Sequence, residues 1–171
     1  MRGGSIPDIT SSIQAALQSA ARDGSLALPR ALTAVRPDAY ARRLLHRDPT
    51  TGYTIVVMTW GPGQQTSLHD HAGMWCVECV VDGALRVEQF DRIEEREGRL
   101  RFARQRVVHA GVGDAGCLIP PFEYHVLGNA LADRASVSVH VYAGEMDRCN
   151  VYVEAGAGWW AREERSLSYD A

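Results

Sequence analysis

No run of about 18 consecutive apolar residues occurs in this 171-residue chain, so no transmembrane helix is expected. The N-terminus, MRGGSIPDITSSIQAALQSAARDG, lacks the continuous apolar centre of a secretory leader and is amphipathic instead. The expected compartment is the cytoplasm, where thiols stay reduced. Cysteine is scarce. Cys76, Cys79, Cys117 and Cys149 are read as buried thiols, metal ligands or reactive groups, not as a disulfide framework. Positive charge is not in excess: 18 basic residues face 21 acidic ones, for a net −3. That balance gives no reason to expect nucleic acid or an anionic membrane as partner. The arginines of 92–106 are interspersed with glutamates and read as a solvated face. Internal repeats, linkers and low-complexity tracts are also missing.

What remains is an ordinary globular composition, 46% apolar and 23% charged, in a chain long enough for one sizeable core. Ile9, Ile13, Ala16, Leu17 and Ala20 recur at helical spacing over 9–22, with Asp8 or Thr10 as N-cap and Gly24 as the stop. A second short helix fits 37–45, with Pro37 in its first turn. After Gly52 the texture changes to short β-rich stretches: YTIVVMTW, SLHDH, WCVECVV, ALRVEQF, LRFARQRVV, GCLIP, YHVLGN, SVSVHVY and CNVYV. Turn signals separate them, and the Asp82-Gly83 pair predicts a hairpin. The expected architecture is one all-β barrel or sandwich behind a helical prelude. The prelude is assigned to 1–50, the barrel to 51–155 and a C-terminal extension to 156–171. Trp159 and Trp160 in that extension are suited to covering a barrel edge.

Successive strand side chains face opposite ways, so His69 and His71 in SLHDHAGMWC project to one side and Asp70 to the other. Gly63 is followed by five residues, then His-x-His, four residues, Cys76, six residues and Gly83. This resembles the first motif of the cupin superfamily, a jelly-roll β-barrel, with Cys76 in the place of that motif's glutamate. Pro120, His125 and Asn129 resemble the second motif, although Phe122 stands where glycine is usual and Gly113 is one place off. The site so implied has His69, His71 and His125 as metal ligands. Three neutral imidazoles leave a centre one positive charge richer than a two-histidine, one-carboxylate triad, which suits an anionic ligand such as a thiolate.

Further segments sharpen the likeness. LHDHAGMWCVECVVDGALRVEQF, SVSVHVYAGEMDRCNVY and DAYARRLL resemble, in order, segments of the thiol dioxygenases, the cysteine dioxygenase family above all, from about residue 40 to 154. The resemblance implies an Fe(II) enzyme that adds both atoms of O2 to the sulfur of a small thiol, giving a sulfinic acid. It implies that Arg42 binds the substrate carboxylate with Tyr40 nearby. It also implies that Tyr142 lies beside the bound thiol with Ser138 and His140 behind it. In animal members the residue at the place of Cys76 forms a thioether cross-link to the tyrosine. Members that prefer 3-mercaptopropionate carry glutamine where Arg42 stands, so arginine tilts the expectation toward L-cysteine.

The residues also argue for themselves. Ser138, His140 and Tyr142 alternate with Val137, Val139 and Val141, so one face of that strand is polar. Turned inward, it needs hydrogen-bond partners, which a Ser–His–Tyr chain supplies while poising the phenol for proton transfer. A guanidinium matches a carboxylate as lysine does not, although Arg43 could take the place of Arg42 in a shifted helix. His46 and His109 match no motif. Cys76-x-x-Cys79 lacks a second pair, and residues three apart on a strand face opposite sides, so zinc binding through both is disfavoured. Three further readings stay open: the same chemistry on another thiol carboxylate, a non-catalytic cupin that binds a metal or small ligand, and a cupin oxygenase acting on carbon, against which the missing motif glutamate argues. The sequence leaves the oligomeric state undetermined.

Overall fold

The computed structural model describes residues 4–171. Helix α1 (Ile6–Arg22) precedes the strands β1 (Ala41–Arg47), β2 (Thr54–Trp60), β3 (Leu68–His69), β4 (Cys76–Asp82), β5 (Ala84–Arg96) and β6 (Arg99–Gly111). They are followed by β7 (Ala115–Leu118), β8 (His125–Asn129), β9 (Ser136–Tyr142), β10 (Arg148–Glu154) and β11 (Trp160–Ser166). The stretches read as β-rich all become strands, β2 through β10. The helix begins earlier than its apolar spacing predicts. Its cap is Ser5, not Asp8 or Thr10: the Ser5 side chain accepts from the Asp8 N–H while the Asp8 carboxylate accepts from the Ser5 N–H. Both ends of a capping box are therefore present.

The second helix expected over 37–45 does not form; 37–39 are a bend, and 41–45 belong to strand β1, paired antiparallel with β2 from Ala41↔Thr59 to Arg47↔Thr54. Nine residues are too few to hold a helix by themselves, and the edge of β2 offers partners to the backbone groups that face it. The other side of β1 is taken by the C-terminus. Asp170 accepts from the Arg42 N–H at 2.8 Å and returns its own N–H to the Arg42 carbonyl at 2.7 Å.

The strands form a five-stranded sheet, β1-β2-β9-β4-β7, and a closed ring, β10-β11-β6-β5-β8-β3. Asp82-Gly83 does not make the expected hairpin. β4 pairs with β7 and β9 while β5 pairs with β6 and β8, so the chain changes sheets there. Gly83 has φ +73, and a Cβ on it would lie 2.3 Å from Ser136 Oγ, so only glycine fits that corner. The tight hairpin is instead Glu97-Gly98 between β5 and β6, with both φ values positive, at 51 and 76. Those angles are the ones a two-residue type I′ turn requires.

β9 is buried along its whole length because both its faces are covered. Val137 and Val139 pack outward against Leu17, Leu26, Leu28 and Leu32, and Val141 packs against Ile9 and Ile13 of α1. Each such valine contributes about 1.5–3 kcal/mol. The valine face therefore belongs to the outer, helix-covered side, and Ser138, His140 and Tyr142 look into the barrel. The main core lies between the two sheets, from Val56, Met58 and Trp60 to Leu127, Tyr142 and Val151. The tail does more than cover an edge. β11 runs in full register with β10, meets β6 at Trp160↔Leu100 and completes the ring, and beyond it Leu167 and Tyr169 pack on the main core.

Candidate metal centre

His69 ends β3 and His125 begins β8, and the two are a register pair on one rung. His71 follows in the turn. The rings lie 4.6 Å (His69–His125), 5.0 Å (His71–His125) and 5.3 Å (His69–His71) apart by centroid. One ring nitrogen of each falls within 4.8 Å of the others. Asp70 points away, as strand alternation requires, and anchors the turn. It accepts from the Asn150 backbone at 2.9 Å, the Asn150 amide at 2.8 Å, Tyr152 Oη at 2.8 Å and the Ala72 N–H at 3.1 Å. Burial works to raise the Asp70 pKa, but these hydrogen bonds outweigh it and hold the carboxylate below its usual value.

The cluster fits a transition metal. Burial pushes His71 and His125 well below the ordinary imidazole value and lowers His69 too, so all three offer neutral lone pairs. His69 Nδ1 lies 3.0 Å from the Ser67 carbonyl, which accepts a hydrogen bond from Nδ1–H and so leaves the lone pair on Nε2. His69 Nε2 and His125 Nε2 stand 3.2 Å apart, a separation suited to two nitrogens each about 2.1 Å from one ion. Among the described residues no carboxylate or thiol joins this cluster.

Cys76 is indeed elsewhere. It lies opposite Tyr142 on the β4–β9 ladder, fully buried. Burial and then the nearby Glu78 push its thiol pKa well up, while the neighbouring Tyr142 hydroxyl pulls the other way. Tyr142, whose own pKa burial raises, is a neutral phenol beside a neutral thiol. The expected Ser–His–Tyr chain is only half bonded. Ser138 Oγ and His140 Nε2 are 2.8 Å apart, and Trp60 Nε1–H donates to Ser138 Oγ at 3.0 Å. His140 and Tyr142 instead meet with near-parallel rings, 6.1 Å apart and 16° from coplanar. Burial drives the His140 pKa down to about 3, so it too is neutral.

Because β1 is a strand, Arg42 and Arg43 face opposite ways. Arg43 gives its guanidinium to the Leu32, Ala34 and Ala171 carbonyls. Arg42 lines the same cavity as the three histidines, His140 and Tyr142. It donates to the Ser168 and Met146 carbonyls, both at 3.1 Å, and lies over the Tyr169 ring. Two of its five N–H donors are thus used to fix it, and three remain for a ligand. Tyr40 lines the cavity too, stacked on Trp60 at 4.8 Å. The cavity, including its solvent-open mouth, spans about 490 Å³, and Arg165 and Leu167 of the tail contribute to its wall.

The remaining candidates fall away from this cavity or at its margin. His46 and His109 are exposed. Cys79 is buried on the opposite face of β4 from Cys76, and Cys149 is a buried thiol in the cavity wall. Cys117 is half-buried and donates to the Thr10 carbonyl. One residue went unremarked in the sequence: Glu78, two places beyond Cys76 and therefore on the same inward face. Strand parity was the signal, a carboxylate between Val77 and Cys79 with the periodicity of a core position.

The cysteine dioxygenase type I family profile matches residues 10–155. Cysteine dioxygenases type 1 from Rattus norvegicus and Homo sapiens are each 23% identical over 114 residues, covering 66% of this chain and 55% of theirs. The chain thus spans about half the length of the curated relatives it matches. Among solved structures, a cupin 2 domain-containing protein from Halorhodospira halophila superposes with a TM-score of 0.52 at 18% identity over 71% of this chain and 75% of that one. A double-stranded β-helix protein from Klebsiella pneumoniae gives 0.51 at 19% identity, over 70% and 85%. These likenesses establish the expected cupin jelly roll. The family match takes in most of α1 and every strand from β1 to β10, and on that breadth the chain belongs to the cysteine dioxygenase type I family.

Proposed function

We propose that the chain is an iron(II) thiol dioxygenase that converts L-cysteine and O2 to cysteine sulfinic acid. The observation that carries this reading is the convergence on one cavity of three neutral imidazoles, an inward phenol and a guanidinium with spare donors. His69, His71 and His125 would hold the ion. Iron supplies, when bound, the electrons that make O2 reactive toward sulfur. Arg42 binds the substrate carboxylate through its remaining fork, with Tyr40 beside it, and this fixes the thiol end toward the histidines. Tyr142 presents a neutral hydroxyl able to donate or accept a proton near the sulfur. Ser138 and His140 form the wall behind it, and Cys76 backs the phenol. Hydrophobic residues of the wall, Met58, Leu127 and Val151 among them, limit bulk water.

The free state of all four thiols suits a reducing cytoplasm. No helix among the described residues is long and apolar enough to cross a membrane. The test is a pair of measurements on purified protein: iron content, and O2 uptake dependent on added cysteine. Iron near one equivalent with cysteine-dependent uptake, both lost in His125→Ala, is the expected result. Iron-loaded protein that consumes no O2 with any small thiol rules the reading out and leaves a non-catalytic metal-binding cupin.

A further inference from the structure

Glu78 is an inward-facing carboxyl that the proposed chemistry does not use. It faces inward from β4 and pairs with His140 across the β4–β9 ladder. Its Oε1 lies 3.8 Å from His125 Nδ1 and its Oε2 lies 3.6 Å from His140 Nδ1. Glu78 Oε2 and His125 Nδ1 have no other partner, and both are buried. Buried polar atoms in native proteins are nearly always satisfied, so an orphaned carboxyl oxygen and an orphaned ring nitrogen on neighbouring groups, with contacts just beyond hydrogen-bond length, point to an interaction.

Proton bookkeeping points the same way. Trp60 Nε1–H can only donate, so at 3.0 Å it takes up a lone pair of Ser138 Oγ. The Ser138 hydroxyl proton is then free for His140 Nε2 at 2.8 Å. A neutral imidazole carries one proton, so with Ser138 donating to Nε2 that of His140 sits on Nδ1, toward Glu78. His125 turns its Nε2 to His69 Nε2, the side on which an ion would sit, and with an ion held there its proton would likewise be on Nδ1, toward Glu78. Two N–H donors from different strands thus converge on one carboxyl. Glu78 does not line the cavity that holds the histidines; it lines a second one, about 610 Å³, that touches Ser138 but none of the three clustered histidines. It stands behind the cluster and is not itself placed to bind the ion.

We propose that Glu78 is a positioning residue that accepts from both His125 Nδ1–H and His140 Nδ1–H, setting the tautomer of a metal ligand and tying it to the Ser138–His140 pair. This rests on the metal-centre reading above. One carboxyl would then fix the direction of the His125 lone pair and strengthen it as a ligand. A purely structural role explains the residue poorly, because a buried carboxyl without a cationic partner costs stability that leucine would not.

The test uses metal-free protein, Co(II) as probe, and the variants Glu78→Gln and Glu78→Leu. Co(II) affinity is measured by competition with a chelator, the ligand-field bands by visible absorption, and folding by thermal unfolding of the metal-free form. Glu78→Leu is expected to weaken Co(II) binding about 10- to 100-fold and shift the bands. Its melting temperature should stay equal or rise. Glu78→Gln, which keeps one acceptor oxygen, falls between at a wild-type melting temperature. Variants that bind Co(II) as tightly as wild type with unchanged bands overturn the inference. So does a melting temperature lowered in both variants with affinity unchanged, the mark of a structural residue. Wild-type protein that binds no Co(II) overturns the metal-centre reading itself and this inference with it.

Discussion

Cys76 and Tyr142 face each other directly across the β4–β9 ladder, and both are buried. Cβ atoms of such a pair stand about 4.5–5.5 Å apart, so sulfur and ring approach without any backbone movement. Repeated turnover with thiol and O2 should therefore join the Cys76 sulfur to a ring carbon of Tyr142, O2 taking up the two hydrogens lost. Intact mass before and after turnover reads that loss, and peptide mapping should place it on these two residues. Cys76→Ala should show no change. A wild-type mass unaltered after exhaustive turnover contradicts the pairing as a reactive one.

Arg42 keeps three N–H donors free while Ser168 and Met146 hold the other two. Arg42→Lys retains the charge and loses the fork. Its KM for cysteine should rise about 10- to 100-fold, the equivalent of roughly 1.5–3 kcal/mol, with a smaller change in kcat. Arg42→Gln should in addition move the ratio of specificity constants toward 3-mercaptopropionate. Steady-state kinetics on both thiols decide it; an unchanged KM for cysteine in either variant removes Arg42 from the substrate site.

The C-terminus is wired to the same arginine. Asp170 bonds the Arg42 backbone and pairs with Arg36, and Tyr169 lies under the guanidinium. Asp170→Ala should loosen that anchor and raise KM for cysteine severalfold while iron content stays at the wild-type level. Equal KM values would show that the tail closes the barrel without steadying the pocket.

Gly83 and Gly63 separate backbone strain from crowding. Both have positive φ, 73 and 75, but a Cβ on Gly63 meets nothing within 4 Å while one on Gly83 collides with Ser136. Gly83→Ala should cost roughly 2–4 kcal/mol and Gly63→Ala about 1 kcal/mol, read by denaturant unfolding. Similar losses at the two positions would refute the crowding at the sheet-changing corner.

The parts of the site carried by local spacing were legible in the sequence: His69, His71, the outward Asp70, His125, and the alternating face of β9. What escaped was set by partners distant along the chain. β1 reads as a helix because nothing in PDAYARRLL reveals that β2 and Asp170 will pair with it, and that error left Arg43 open as a substitute for Arg42. Asp82-Gly83 reads as a hairpin because a turn residue says that the chain bends, not which sheet it enters. The tail's role depends on β6 and β10, more than fifty and about ten residues earlier. Glu78 was within reach through strand parity, but no short motif marks it.

The central claim is that both oxygen atoms of one O2 reach the sulfur of cysteine. Turnover of iron-loaded protein in 18O2, with mass spectrometry of the product, tests it most directly. The account predicts cysteine sulfinate labelled at both sulfinate oxygens, absent in His125→Ala. Sulfinate carrying oxygen from water, or O2 uptake that yields only cystine, would contradict it.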